Sequence, residues 1–248
     1  MTVLAMSLEA EVMAALATVI DPELDEPITD LGFVRSVHID DVGVSVHLRL
    51  PTSFCSPNFA YLMASDAQDA LRFVEGVGRI KVLLDDHHDS DKINSGLAAE
   101  AGYVGTFGQE ADDSLDELRL TFQRKAHTAA MERCVAAVLK DTDLAVEDAH
   151  RLLLGHLPGG GHKDALLRRR ADIGLGIGPE EPVLVDETGA PIPAEAVPMR
   201  LRFAKAVRIS IEGNSHFCRG LLATRYSDSE AGDMSTRITN TRFARRAS

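Results

Sequence analysis

The chain has no tryptophan among its 248 residues, 5% aromatic side chains, and three cysteines, none of them in a CxxC pair. It is also short of basic charge: 26 Lys and Arg stand against 38 Asp and Glu, for a net charge of −12. Each shortage excludes a class. A binder of phosphate backbones presents a basic face that releases counterions, so nucleic acid is not expected as a partner. Cys55, Cys134 and Cys218 are odd in number and far apart, which argues against a secreted disulfide framework and for a reducing cytoplasm. No apolar run reaches the ~20 residues that cross a bilayer. The opening MTVLAMSLEAEVMAALATVI is acidic where a signal peptide is basic, so no membrane partner is expected either. What is present is ample apolar material: 45% hydrophobic residues can bury one large core or two small ones.

Periodicity organises the first hundred residues. Ser7 caps a helix carrying Leu8, Val12, Leu16, Val19 and Ile20 at helical spacing, and Pro22 ends it. The connector DPELDEPITDLG (21–32) is dense in Asp and Glu, and FVRSVHI (33–39) then reads as a strand. VGVSVHLRL (42–50) alternates, with Val42, Val44, Val46, Leu48 and Leu50 on one face, and forms a hairpin with its predecessor. The loop PTSFCSP (51–57) opens a second amphipathic helix that stops near Gly76, and RIKVLL (79–84) is a third strand. This order predicts an α+β fold, a small N-terminal helix-hairpin-helix-strand sandwich with helices on one sheet face.

The run DPEL…DLGFV, a hairpin, a Thr-x-x-Cys loop entering a helix and a G-V-x-x-I-x-V strand together resemble the PaaD and SufT type of iron–sulfur cluster assembly protein over about residues 8–100. The resemblance implies functional positions at Asp21, Pro22 and Glu23, at Asp30, Leu31 and Gly32, and at Thr52 and Cys55. It also implies a cytoplasmic accessory protein, not itself an enzyme, that handles iron or an iron–sulfur cluster transiently and assists a client metalloenzyme or other assembly proteins. Two departures stand out. Pro51 occupies the place of a second Thr, and Ser56 that of a Pro after the Cys. LDDHHDSDKI (84–93) replaces the Trp and Pro common after the last strand.

The residues themselves carry some of this chemistry. A thiol beside a helix N-terminus feels unpaired N–H groups that favour the thiolate, so Cys55 is a candidate iron ligand or nucleophile; the alternative is a small buried hydrophobe. Asp21 and Glu23 are expected to cap the turn and also to build the rim of a site, while Asp25, Glu26 and Asp30 read as solvated or turn-forming. His87 and His88, among Asp85, Asp86, Asp89 and Asp91, are of metal-ligand type, but neighbours in an extended segment point apart, and an acidic cap on a helix from Ser90 or Asp91 toward Ala101 is the competing reading. GLGIG (174–178) lacks the strand and helix of a dinucleotide site, and His216 and Cys218 on one strand face are two ligands only.

Beyond residue 101 the expected layout is a Gly-rich linker (102–113), a helical and β-hairpin domain over 114–226 suited to binding a client, and a disordered tail over 227–248. Ser114-x-x-Glu117 opens a helix to about Leu139, 143–157 and 164–175 are further helices, and 207–226 is a β-hairpin turning at Gly213-Asn214. Three functional classes follow: an assembly or maturation factor whose client is an iron–sulfur protein or a diiron multicomponent monooxygenase; a cysteine-dependent enzyme with His47 or His87 as base; and an interaction module. The first is the expectation. One thiol cannot hold a cluster that takes about four, so a homodimer, or Cys134 or Cys218, has to contribute.

Overall fold

The computed structural model describes residues 6–111, 115–227 and 235–242. It forms two compact units, Met1–Leu115 with Asn214–Ser248, and Asp116–Gly213. The sequence predicts two contiguous domains followed by a disordered tail; in this division the chain from Asn214 onward groups with the first unit.

In the first unit, α1 (Leu8–Leu16) is capped by Ser7, whose hydroxyl accepts from the Ala10 amide at 3.3 Å. Val12 and Leu16 are its buried residues. The helix stops earlier than its apolar spacing suggests, because Ile20–Asp21 (β1) pairs with Glu26–Pro27 (β2) across a tight acidic turn. Next come β3 (Val34–Ile39) and β4 (Gly43–Leu48), an antiparallel hairpin as expected. Val44, Val46, Leu48 and Leu50 are buried, whereas Val42 at the turn is 65% exposed. Helix α2 (Pro57–Arg72) buries Leu62, Met63, Ala67 and Leu71, and β5 (Arg79–Leu84) joins β4 in parallel. Helix α3 (Ser90–Ala98) follows, beginning where the capped-helix reading of the Asp/His run placed it.

Two segments expected to be irregular are ordered parts of this unit. The Gly-rich stretch forms α4 (Gly102–Phe107), because Tyr103 and Phe107 pack with Tyr61 at ring separations of 5.0–6.0 Å and Phe107 is buried. Aromatic burial there outweighs the helix cost of glycine. Part of the tail expected to be disordered forms β6 (Arg237–Asn240), parallel to β3, giving the order β5-β4-β3-β6. Arg242 fixes it by donating to the carbonyls of Gly76 at 2.7 Å and Val77 at 3.0 Å. The rest of the tail, 228–234 and 243–248, lies outside the described residues, as does Ser114 of the expected capping box.

The second unit contains α5 (Asp116–Asp141), α6 (Gly161–Asp172) and most of α7 (Val197–Arg225). The helix expected over 143–157 is two 3-10 turns, Val146–Arg151 and Leu154–His156. Its amides turn outward instead: Leu154 donates to Glu181 at 2.8 Å and Gly155 to Pro179 at 2.7 Å, so long-range bonds replace the α-helical ladder.

The hairpin expected over 207–226 is also absent, and α7 runs through it. Val207, Ile209 and Ile211 alternate like a strand, but Ile209 is 53% exposed and the burial follows another period. Val197, Leu201, Ala204, Arg208, Ile211, Ser215, Cys218, Leu222 and Tyr226 recur at steps of three and four, and that stripe is covered along its length. Gly213 lies within the helix, with open space around it, so no turn forms.

Candidate functional site

The site grows from the loop between β4 and α2. Cys55 precedes Ser56, the N-cap of α2, whose first residue is Pro57. Thr52 Oγ1 lies 3.4 Å from Cys55 Sγ and also accepts from the Phe54 amide at 3.2 Å, so the threonine both shapes the loop and touches the thiol. Cys55 is half-buried against the core of the first unit. Phe54 next to it is 80% exposed, its ring 5.8 Å from that of His88.

The acidic connector is a second wall. Asp21 is buried, and its Oδ1 accepts from the amides of Glu23 at 2.9 Å and Leu24 at 2.8 Å, an Asx turn that lets the chain reverse between β1 and β2. Burial nevertheless pushes its carboxyl up to about 6, against the pull of those two amides. Gly32 closes the connector at φ 75°, a left-handed conformation that glycine adopts freely. Leu31 and Phe33 on either side are buried, and the Gly32 carbonyl accepts from Arg49 Nε at 3.0 Å. Within the Asp30-Leu31-Gly32 motif, then, Leu31 and Gly32 shape the turn, while Asp30 offers its carbonyl to Arg219.

The histidines divide differently. His87 is buried, with Nε2 2.8 Å from the Cys55 carbonyl oxygen and Nδ1 accepting from the Asp89 amide at 3.1 Å. Both ring nitrogens are therefore committed, which leaves His87 as a brace for the cysteine loop and takes it out of the expected ligand and base roles. His88 stacks on Phe54. His47 Nδ1 is 2.9 Å from Asp85, in an open cleft with Arg35 and Asp86.

The third wall was missed by sequence reasoning. The end of α7 binds the acidic connector, the residue that leads into the cysteine loop, and the segment before His87. Asn214 donates to Glu23 at 3.3 Å, Ser215 and Arg219 bind the Glu26 carboxylate, and Arg225 donates to the carbonyls of Leu50 at 3.0 Å and of Asp86. Tyr226 OH reaches Asp86 at 3.3 Å and its ring lies 5.3 Å from the Arg49 guanidinium. Glu26, read from sequence as solvated or turn-forming, is thus an anchor for a helix nearly two hundred residues away in the chain. The helical stripe through Cys218, Leu222 and Tyr226 was the available signal. Cys218 is half-buried beside this wall; burial, then the negative charge of Cys55, Asp21 and Glu23, push its thiol up to about 11. Cys134 is in the second unit, buried, its Sγ 3.3 Å from the His162 carbonyl.

Among the described residues no group of three or more His, Cys, Asp and Glu is gathered to hold a metal ion. Cys55 is the half-buried soft donor of the loop between β4 and α2.

A family model described as iron-sulfur cluster assembly protein matches residues 9–82. A protein of Methanocaldococcus jannaschii, described as uncharacterized, is 35% identical over 88 residues, which is 35% of this chain and 90% of that protein. The iron-sulfur cluster carrier protein of Mycobacterium leprae is 35% identical over 89 residues, 36% of this chain but 23% of that protein's length. No solved structure matches the chain. The matched stretch contains the acidic connector, Thr52 and Cys55; the end of α7 lies outside it.

Proposed function

Since the chain belongs, through residues 9–82, to the iron-sulfur cluster assembly protein family, we propose that it helps load a client metalloenzyme, presenting Cys55 to iron or to an iron–sulfur cluster in transit. The observation that carries this reading is the Cys55 thiol held by Thr52 at the mouth of α2, beside the exposed ring of Phe54. The thiol supplies a soft ligand, and Phe54 supplies apolar surface against which a partner packs. His87 holds the Cys55 carbonyl, so the loop keeps the sulfur in place while cargo passes. On this reading the chain is not an enzyme. A thiol nucleophile needs a base, and both ring nitrogens of the nearby His87 are committed to the loop backbone.

The test is made in cells of the native host lacking the protein, complemented with wild type or Cys55→Ala. The variant is expected to fold, losing about 1 kcal/mol or less, while the metal content of the client falls. Copurification with the full chain identifies the client and decides whether it is an iron–sulfur protein or a diiron oxygenase. Full metal loading of that client in cells without the protein would overturn the maturation reading.

A further inference from the structure

We propose that Cys218 is the second sulfur of the Cys55 site, so that one chain offers its cargo a pair of thiolates drawn from distant segments. This rests on the assembly reading and specifies what the site binds: a thiophilic metal ion, or one iron of a cluster, held by two sulfurs.

The placement follows from α7. Ser215, Cys218, Leu222 and Tyr226 share one helical face, and Ser215, Leu222 and Tyr226 are buried in the first unit. Before Cys218, Ser215 is tied to Glu26 in the acidic connector. After it, Arg225 is tied to the carbonyls of Leu50 and Asp86. Leu50 leads into the cysteine loop, and Asp86 adjoins His87, which binds the Cys55 carbonyl. Cys218 is therefore held between the two walls that flank Cys55. Both sulfurs pack on the same core, and the Cys218 thiol lies within electrostatic reach of Cys55, Asp21 and Glu23.

The charge pattern points to a cation. The Cys218 thiol feels the negative charge of Cys55, Asp21 and Glu23, while Arg219 and Arg225 on the same helix are spent on Glu26 and on backbone carbonyls. Such a group resists forming a second thiolate alone, but a bound metal ion supplies the positive charge that stabilises both. Sulfur donors select iron, zinc or copper(I) over magnesium or calcium. Two thiolates leave the remaining positions of a tetrahedral ion open to sulfide or to a client's ligands.

Cobalt(II), added anaerobically to the reduced full-length chain, is the probe. One ion per chain is expected, with a sulfur-to-cobalt charge-transfer band and two sulfur neighbours counted by X-ray absorption. Cys55→Ser and Cys218→Ser should each lower the band per bound ion by about half, one of two thiolates being lost, and Cys134→Ser should leave it unchanged. Cys218→His should retain the ion with a single sulfur neighbour. A full band in Cys218→Ser overturns the proposal, as does one ion per two chains or fewer than two sulfurs in the wild type, which needs no variant to fold. These outcomes leave the maturation reading standing. Conversely, a client fully loaded by Cys55→Ala overturns that thiol's role in maturation while a two-sulfur signal stands.

Discussion

At the scale of single residues, the three thiols occupy different environments. Cys134 is 3% exposed, and burial pushes it up to about 11. Cys218 is likewise pushed up to about 11, by burial and by its acidic neighbours. Both are protonated at neutral pH, and the thiolate is the nucleophile. Cys55, at a loop-to-helix junction with Thr52 at its sulfur, is therefore expected to be alkylated first in the metal-free folded protein. Timed alkylation at pH 7.5 with peptide mapping ranks the three; faster modification of Cys134 or Cys218 would contradict this assignment. Asp21 is a different case. Its carboxylate caps the turn through the amides of Glu23 and Leu24, and burial pushes it up to about 6.

At the scale of elements, the sheet that backs the site depends on one close approach. Gly43 begins β4 opposite Arg79 of β5, and a Cβ there would stand 1.9 Å from the Arg79 carbonyl oxygen. Backbone cannot move aside as a side-chain tip can. Gly43→Ala is expected to cost about 3 kcal/mol, the upper end for overpacking, read as a lower denaturation midpoint with an unchanged slope. A loss below about 0.5 kcal/mol, the ordinary range for a surface change, would mean that β5 does not pair there. The long helix α7 makes the complementary point. Its register, set by steps of three and four, buries Leu222 and Tyr226 and carries Cys218 with them.

At the scale of the whole molecule, the first unit is discontinuous: Leu222 and Tyr226 join its core and β6 its sheet. A fragment ending at Tyr103 retains the sandwich of α1, α2 and the three main strands, so it should unfold cooperatively. It lacks Phe107, Leu222 and Tyr226, whose burial is worth about 2 kcal/mol each, and it lacks β6. Its midpoint should therefore fall well below that of a fragment 1–115 mixed with a peptide of residues 214–242. Equal midpoints would show that the end of the chain adds nothing to this unit.

The N-terminal sandwich was legible because its signals are local. Alternation in 42–50, the spacing of Leu62, Met63, Ala67 and Leu71, and the Thr52–Cys55 loop all follow from two short periods and a cap. Residues 207–226 were not legible in the same way, since a β-branched run and Gly213-Asn214 favour a hairpin locally while the burial stripe favours a helix. Tertiary packing decided, because only the helical period buries Leu222 and Tyr226 against the first unit. The sequence by itself determined a thiol at a helix mouth beside an acidic turn. Only the tertiary structure decided that Glu26 anchors a distant helix and that Cys218 packs against the same core as Cys55, because such neighbours are set by long-range packing and leave no mark in local spacing.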